Sequence, residues 1–170
     1  MKELILGGAR SGKSRLAEAR ATPFAEVVYI ATAQALDGEM AARIARHKAS
    51  RPPHWTTVEE PLTLAEALRG HAAPGRCIVV DCLTLWLSNW LFTDPEGLEA
   101  ERGALVAGLA DLPGEVVLVS NEVGQGIVPA DPLTRQFRDL AGELHQALAE
   151  ACDRVTLVVA GLPLTLKEPP

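Results

Sequence analysis

The chain has 170 residues, of which 48% are hydrophobic, and its formal net charge is −6. This hydrophobic fraction excludes a disordered chain, and the length predicts one domain over residues 1–170. The acidic balance provides no strong basic field, so we expect no nucleic-acid partner. The cysteines Cys77, Cys82 and Cys152 have neither metal-ligand nor disulfide spacing, which indicates a reducing compartment such as the cytoplasm.

Short apolar runs alternate with helical patterns along the chain. The runs predicted to be buried strands are 4–6, 27–31, 78–80, 116–119 and 155–160. The segments predicted to be helices are 12–21, 38–49, 62–69, 98–109 and 133–151, and another helix is expected to start near Leu83. This alternation predicts an α/β fold, in which a mostly parallel sheet has helices on both faces. The Pro- and Leu-rich segment 161–170 is given no element, and its last residues are expected to fray.

Neither a leader peptide nor a membrane span is predicted. The N-terminal apolar run has only three strongly apolar residues before the glycines, which is too short for a signal peptide. The longest apolar stretch, 83–92, has ten residues and is interrupted by Thr84, Ser88 and Asn89, so it cannot cross a bilayer.

A phosphate-binding loop follows the first predicted strand. Its residues Gly7, Gly12, Lys13 and Ser14 fit the pattern G-x-x-x-x-G-K-[ST] between a strand and a helix. Glycines let successive backbone N–H groups point into one concavity, and the start of the following helix favours an anion. In this motif the lysine reaches the β- and γ-phosphates and the hydroxyl binds Mg²⁺. The sequence therefore predicts that a nucleoside triphosphate is bound by Gly7, Gly8, Ala9, Arg10, Ser11, Gly12, Lys13 and Ser14.

Other polar residues follow the predicted strands. Ligands of parallel sheets bind at the carboxyl ends of the strands, which makes these positions candidates for function. They are Thr32, Ala33 and Gln34, then Asp81, then the run from Ser120 to Glu122, and Gly161. Asp81 ends a buried apolar run, where a carboxylate can order Mg²⁺; the alternative is that it caps the helix near Leu83.

A basic segment, 43–51, contains His47 and four cationic residues within nine positions. One interpretation is a solvated helix end whose cations interact favourably with the helix dipole. The other is a phosphate-facing element in which neighbouring cations keep the imidazole neutral, as a nucleophile requires. The residues alone leave both interpretations open.

Two acidic positions are candidates for the base that deprotonates an acceptor hydroxyl. Glu59 and Glu60 precede Pro61, and Glu122 follows a buried run. In both places the alternative is ordinary loop or turn chemistry. Trp55, Trp86 and Trp90 are interpreted as packing residues rather than platforms for a base.

Taken together, the motifs resemble those of a known enzyme family, the bifunctional adenosylcobinamide kinase/adenosylcobinamide-phosphate guanylyltransferases of cobalamin biosynthesis. The resemblance covers nearly the whole chain. The segments that carry it, in chain order, are 7–14 (GGARSGKS), 31–33 (ATA), 43–52 (RIxxH with RP), 55–59 (WTTVE), 80–87 (VDCLTLWL), 120–124 (SNEVG) and 160–163 (AGLP).

The resemblance implies two reactions in one site. A nucleoside triphosphate (ATP or GTP) first phosphorylates the aminopropanol hydroxyl of adenosylcobinamide. GTP then donates GMP to a histidine that matches His47, and the GMP passes to adenosylcobinamide phosphate, which gives adenosyl-GDP-cobinamide. The family's guanine-nucleotide contacts map onto the phosphate loop and onto Thr32, Ala33, Gln34, Lys48, Ala49, Ser50, Arg51, Glu59 and Asp81. Mg²⁺ on Ser14 and Asp81, a RecA-like P-loop fold and a homotrimer are implied as well.

One position departs from the family pattern, which has Asn where His145 stands. If that position meets the corrinoid or a neighbouring subunit, the substrate contacts differ. Two other functions compete with the bifunctional enzyme: a simple small-molecule kinase, and a RecA-like regulatory or nucleic-acid-stimulated NTPase, which the acidic charge opposes.

Overall fold

A computed structural model describes residues 1–34, 38, 42 and 51–169. The strands of the described part are β1 Lys2–Gly7, β2 Glu26–Ala31, β3 Thr56–Glu59, β4 Arg76–Asp81, β5 Glu115–Asn121, β6 Arg154–Val159 and β7 Leu162–Lys167. Its helices are α1 Lys13–Ala21, α2 Leu64–His71, α3 Leu83–Thr93, α4 Leu98–Leu109 and α5 Pro132–Ala151.

The strands form one sheet in the order β3-β2-β4-β5-β1-β6-β7. Every neighbouring pair is parallel except β6 and β7, which are antiparallel. Helix α1 packs on one face with Ala17 and Ala21. Helices α2 to α5 cover the other face, where Leu68, Trp86 and Leu144 are buried. The predicted α/β class, a mostly parallel sheet with helices on both faces, is confirmed.

The predicted strands all lie within observed ones, apart from the end of the last: residue 160 lies beyond β6, which ends at Val159. The helix predicted over 62–69 begins later, at Leu64, because the Glu60 carboxylate accepts hydrogen bonds from the backbone N–H groups of Leu62 and Thr63 at 2.8 and 2.7 Å. The helix predicted over 38–49 lies outside the described residues except for Gly38 and Ala42.

Two strands were not predicted. Strand β3 has four residues and pairs only with β2, so its sequence signal is short. Strand β7 occupies residues 162–167 of the C-terminal segment 161–170, for which no helix or strand was predicted. Its Leu162, Leu164 and Leu166 alternate with other residues in the period of a strand, but Pro163 weakens that pattern because proline cannot donate to a ladder. An edge position next to β6 tolerates the proline.

Helix α3 lies along the carboxyl edge of the sheet. The Asn89 side-chain amide donates to the backbone oxygens of Thr32, at 2.8 Å, and Pro61, at 3.0 Å, and both residues follow carboxyl ends of strands. Near the start of α3, the Thr84 hydroxyl accepts a 2.7 Å hydrogen bond from Asn121, the last residue of β5. Helix α5 starts near the same edge, where the Asp131 carboxylate accepts from the Thr134 N–H and Pro132 occupies the first turn.

Gly7 lets the phosphate-binding loop pack directly on the neighbouring strand. A Cβ atom at Gly7 would lie 2.7 Å from the Val158 backbone oxygen on β6 and would also meet the Ser11 hydroxyl. A Cβ at Gly8 would meet no atom of the described residues within 4 Å. The two glycines are therefore under different constraints, although they are adjacent.

We predict that Gly7→Ala lowers the free energy of unfolding by about 1–3 kcal/mol, because the added methyl group forces β1 away from β6. Gly8→Ala is the matched control and should change it by less than about 0.5 kcal/mol. Urea unfolding followed by circular dichroism measures both. Equal stability of the two variants would contradict the close packing at Gly7.

Candidate active site

The phosphate-binding loop is held in place from both sides. Ser11 N–H donates to the Gly8 oxygen at 3.2 Å, which closes the turn inside the loop. Glu122 N–H, just after β5, donates to the Gly7 oxygen at 3.0 Å, and Gly161 N–H, just after β6, donates to the Ser11 oxygen at 2.8 Å. The three segments that follow β1, β5 and β6 therefore meet at one point of the sheet edge.

Left-handed backbone conformations give the loop its concave shape. Gly12 has φ of 98° and Arg10 has φ of 56°. Only glycine adopts such values without strain, which accounts for Gly12 in the motif. Helix α1 starts immediately afterwards without a side-chain cap at Gly12, so its first N–H groups face the concavity. This arrangement suits a bound anion.

Lys13 lies over its own loop. Its ammonium group donates to the Gly8 oxygen at 3.1 Å, and the side chain is buried. The Ser11 hydroxyl is also buried and has no hydrogen-bond partner within the described part of the chain. Both groups lie at the phosphate loop, and the phosphate contacts predicted for them stay predictions.

Asp81 is the last residue of β4 and is held by Tyr29 from the next strand. The Tyr29 hydroxyl donates to one Asp81 carboxylate oxygen at 2.7 Å. Burial, and then the Asp81 charge, raise the pKa of Tyr29, so its hydroxyl stays a donor at physiological pH. The Arg51 guanidinium stacks on the Tyr29 ring at 3.5 Å from the ring centroid. Residue 51 of the basic segment is thus brought to the sheet edge that carries Asp81.

The segment after β2 is fixed by a pair of hydrogen bonds to Cys82. The Thr32 hydroxyl donates to the Cys82 oxygen at 2.8 Å and accepts from the Cys82 N–H at 2.9 Å. Thr32 is fully buried, Ala33 is half-buried and Gln34 is exposed. The nucleotide contacts predicted for these three residues stay predictions; the Thr32 hydroxyl itself holds the segment after β2 against β4.

The two candidate bases lie in different places on the carboxyl edge. Glu122 follows β5, and its carboxylate accepts a 2.9 Å hydrogen bond from the Gly124 N–H. Glu59 ends β3, the edge strand, and is exposed. Glu60 is the cap of the turn before α2, so it has a structural role. The Glu122 backbone is bonded directly to the phosphate loop, whereas Glu59 lies on the edge strand, and the role of a base stays a prediction for both.

The predicted packing roles of the tryptophans are confirmed. Trp55 and Trp86 are buried, and Trp90 is half-buried beside the same cluster as Trp86. The indole N–H groups of Trp86 and Trp90 both donate to the Leu62 oxygen, at 2.6 and 3.0 Å.

His145 is buried against the sheet. Its Nε2 lies 2.8 Å from the Ser120 hydroxyl of β5, and burial lowers the pKa of the imidazole, with the Glu122 charge opposing that shift. His145, which departs from the family pattern, is therefore a neutral, buried partner of Ser120. Ser120 directly precedes Asn121, the last residue of β5.

Not every predicted site residue can be placed. His47, Lys48, Ala49 and Ser50 lie outside the described residues. The structure brings the phosphate loop, Thr32, Arg51 and Asp81 to one edge of the sheet, with Glu59 at the end of the same edge. Sequence reasoning missed Tyr29, Thr84 and Asn89, because apolar runs and helical patterns do not show which polar side chain crosses to the next element.

The donor set fits a magnesium ion. Mg²⁺ prefers hard oxygen ligands and usually takes one or two protein groups, with phosphate oxygens and waters completing the shell. Ser14 offers a hydroxyl at the start of α1, and Asp81 offers a carboxylate already oriented by Tyr29. Among the residues that the structure describes, no group of three or more His, Cys, Asp or Glu side chains forms a metal cage.

The fold is that of P-loop nucleotide-binding proteins. The chain superposes on the ATPase of a bacterial type III secretion system with a TM-score of 0.53 and 12% identity, covering 96% of this chain and 56% of the ATPase. A solved structure from Pyrococcus horikoshii gives a TM-score of 0.53 at 10% identity, covering 98% of this chain and 86% of that one. At these identities the likeness supports the fold alone.

Residues 3–166 match the family model described as cobinamide kinase/cobinamide phosphate guanyltransferase, and the chain belongs to this family. It is 60% identical to the bifunctional adenosylcobalamin biosynthesis protein CobP of Pseudomonas aeruginosa, over 100% of this chain and 99% of the relative. It is 44% identical to the bifunctional adenosylcobalamin biosynthesis protein CobU of Escherichia coli, over 98% of this chain and 100% of the relative. The resemblance identified in the sequence is confirmed, and with it the class of enzyme. No helix in the described ranges has the length and apolar character needed to span a membrane.

We predict that His145→Asn removes a pH-dependent part of the stability. The folded-state pKa of His145 is lowered, so the unfolded chain binds a proton near pH 6.5 that the folded chain does not bind. The wild type therefore loses stability as the pH falls below about 6.5, by at most about 1.4 kcal/mol per pH unit from this group, and the variant does not.

The measurement is the free energy of unfolding between pH 5 and 8 for both proteins. His54→Asn, at an exposed position, controls for the loss of a histidine. A wild-type-minus-variant difference that stays constant over this range would contradict a neutral, buried His145.

Proposed function

We propose that the chain phosphorylates adenosylcobinamide with a nucleoside triphosphate and then transfers GMP from GTP, through His47, to adenosylcobinamide phosphate. The product is adenosyl-GDP-cobinamide. The observation that supports this most is the clamped phosphate loop with buried Lys13, in a chain that belongs to the cobinamide kinase/guanyltransferase family. The loop follows β1, and only β5 separates β1 from β4, which ends at Asp81.

The kinase step is an in-line displacement at the γ-phosphorus. The acceptor hydroxyl oxygen forms a bond to phosphorus, the bond to the β-phosphate oxygen breaks, and the hydroxyl proton leaves to a base. Lys13 and the N–H groups of the loop stabilise the negative charge on the β- and γ-phosphates. Glu122 and Glu59 are the candidates for the base, and the backbone bond from Glu122 to Gly7 favours the former.

The guanylyl step attacks the α-phosphorus instead. The neutral imidazole of His47 forms an N–P bond while pyrophosphate leaves, and a phosphate oxygen of the acceptor then displaces the histidine. The same loop stabilises the departing pyrophosphate, since its charge lies on the β- and γ-groups. One phosphate site therefore serves both reactions, and only the attacking group changes.

The nucleotide is proposed to contact the phosphate loop together with Thr32, Ala33, Gln34, Lys48, Ala49, Ser50, Arg51, Glu59 and Asp81. When Mg²⁺ is bound, Ser14 and Asp81 hold it and it neutralises phosphate charge. Arg51 supports the assignment of the basic segment to this site, because its guanidinium lies on Tyr29, the partner of Asp81. His47 is four residues from Arg51, a distance of at most about 14 Å along an extended chain.

Residues 1–170 act as one nucleotide-binding domain in the cytoplasm, and the assembly is a homotrimer, as the family resemblance implies. ATP and GTP both remain candidate donors for the kinase step. No nucleic-acid partner is proposed.

We predict that the protein incorporates label from [α-³²P]GTP, through a bond that is labile in acid and stable in base, and that His47→Ala takes up none. The reason is that only the imidazole forms a phosphoramidate with the α-phosphorus. His47→Ala should retain phosphorylation of adenosylcobinamide with [γ-³²P]ATP or GTP. Lys13→Ala is the comparison variant and should lose both activities, because it removes charge stabilisation from both displacements.

Labelling of His47→Ala at the wild-type rate would contradict the role of His47. Transfer of γ-label to adenosylcobinamide with no α-label on the wild type would indicate a simple kinase. Hydrolysis stimulated strongly by DNA or RNA, without either transfer, would indicate a regulatory NTPase.

A further inference from the structure

An apolar groove lies at the carboxyl edge of the sheet, between α3 and the start of α5. It contains a cavity of about 170 Å³. The residues that line the cavity are Ser88, Leu91, Phe92, Leu133, Thr134 and Phe137. We call this cavity and its walls the α3–α5 groove.

The loop over residues 122–131 leads into the start of α5, whose Leu133 and Thr134 line the α3–α5 groove, and the loop is fixed at both ends. Its first residue, Glu122, donates its N–H to the phosphate loop. At the other end, the Arg135 guanidinium donates to the backbone oxygens of Pro129, at 2.9 Å, and Ala130, at 2.6 Å. The conformation of the loop near α5 is therefore set by specific contacts.

Exposed apolar side chains occur in this loop and at the rim of the α3–α5 groove. Ile127 is 96% exposed, Val128 is 61% exposed, and Phe92 at the rim of the α3–α5 groove is 77% exposed. Large apolar side chains that face water, on a loop that leads into the wall of a cavity and at its rim, indicate a binding surface.

The strand order places the loop 122–131 next to the proposed site of the reacting phosphate. Strand β5 lies between β1, which carries the phosphate loop, and β4, which carries Asp81. The loop that leaves β5 therefore emerges between the two groups that are proposed to hold the triphosphate and its metal. Thr84 contacts the end of β5, and Phe92 lies eight residues further along α3, or about 12 Å.

We infer that the α3–α5 groove and the loop 122–131 bind the corrin ring of the acceptor, an inference that rests on the proposed function. The ring is a large macrocycle with apolar faces and a rim of carboxamides, and its reacting hydroxyl is carried on a flexible arm. The cavity is smaller than the roughly 300–1,000 Å³ of a pocket that encloses a whole ligand, so it holds one edge of the ring. Ile127 and Val128 contact an apolar face of the corrin ring, and the hydroxyls of Ser88 and Thr134 form hydrogen bonds with its carboxamides.

Two carboxylates near the α3–α5 groove favour this occupant, and the nearby cation Arg135 has its guanidinium on the backbone oxygens of Pro129 and Ala130. Asp131 lies at the start of α5, and hydrogen bonds from Thr134 lower the pKa of its carboxyl, so it stays negative. Asp94 follows the rim residue Phe92 in sequence. The cobalt(III) corrin of an alkylated cobinamide carries a net positive charge, which these carboxylates attract.

A second copy of the chain has a different surface available to it. Strand β7 exposes Leu162, Leu164 and Leu166. It lies at the end of the sheet, on the side of β1 away from β5. Because β7 lies on the opposite side of β1 from β5, its apolar face can serve assembly while the α3–α5 groove serves the acceptor.

The test measures kinase kinetics for Ile127→Ser and Phe92→Ser, with adenosylcobinamide as the varied substrate. We expect KM for adenosylcobinamide to rise about tenfold or more, because each variant removes apolar contact area with the ring. KM for the nucleotide and the rate of labelling by [α-³²P]GTP should stay within twofold of wild type. Leu164→Ser is the matched control, because it also replaces a large exposed apolar side chain by serine, but on β7. It should leave KM for adenosylcobinamide unchanged.

The possible failures are distinguishable. If the wild type neither binds adenosylcobinamide in equilibrium dialysis nor phosphorylates it, the proposed function itself fails. If the wild type is active and both variants keep the wild-type KM, the inference about the groove is overturned. It is also overturned if the variants change only the sedimentation coefficient, which would assign the surface to contacts between copies, or if they lose α-labelling, which would place the effect in the phosphate site.

Discussion

The two backbone hydrogen bonds that clamp the phosphate loop are the constraint on which the rest of the site depends. Glu122 N–H reaches the Gly7 oxygen from one neighbouring strand end, and Gly161 N–H reaches the Ser11 oxygen from the other. The loop can approach β6 this closely only because Gly7 has no Cβ. The concavity is thus built from backbone that the sheet itself holds in place, so binding a triphosphate requires little ordering of the loop.

Side-chain hydrogen bonds extend this order along the sheet edge. Tyr29 fixes the Asp81 carboxylate, Thr32 fixes the peptide of Cys82, and Asn89 ties α3 to the segments after β2 and β3. These contacts hold the β2–β3 end of the carboxyl edge, which carries Arg51 and other polar groups. The α3–α5 groove, which we propose for the corrin ring, is lined mostly by apolar side chains.

The amino-acid sequence was sufficient to predict the main architecture and the phosphate loop. Buried parallel strands are continuous apolar runs, and the loop motif has a fixed spacing, so both are local signals. Strand β3 was missed because it is short, and β7 because Pro163 interrupts its alternation. Thr32 was predicted from its place after a strand, but the bonds of its hydroxyl to Cys82 depend on how two strands are aligned. The neutral state of His145 likewise depends on burial against Ser120, which helical periodicity alone does not specify.

The most direct test of the central claim is a crystal structure with a non-hydrolysable GTP analogue and Mg²⁺. We expect the β- and γ-phosphates to lie within hydrogen-bond distance of Lys13 and of the loop N–H groups between Ala9 and Ser14. We also expect the His47 imidazole, from the same chain or a neighbouring one, to lie within reach of the α-phosphorus. A triphosphate bound away from the loop, or a His47 ring on the opposite edge of the sheet in every copy, would contradict the central claim.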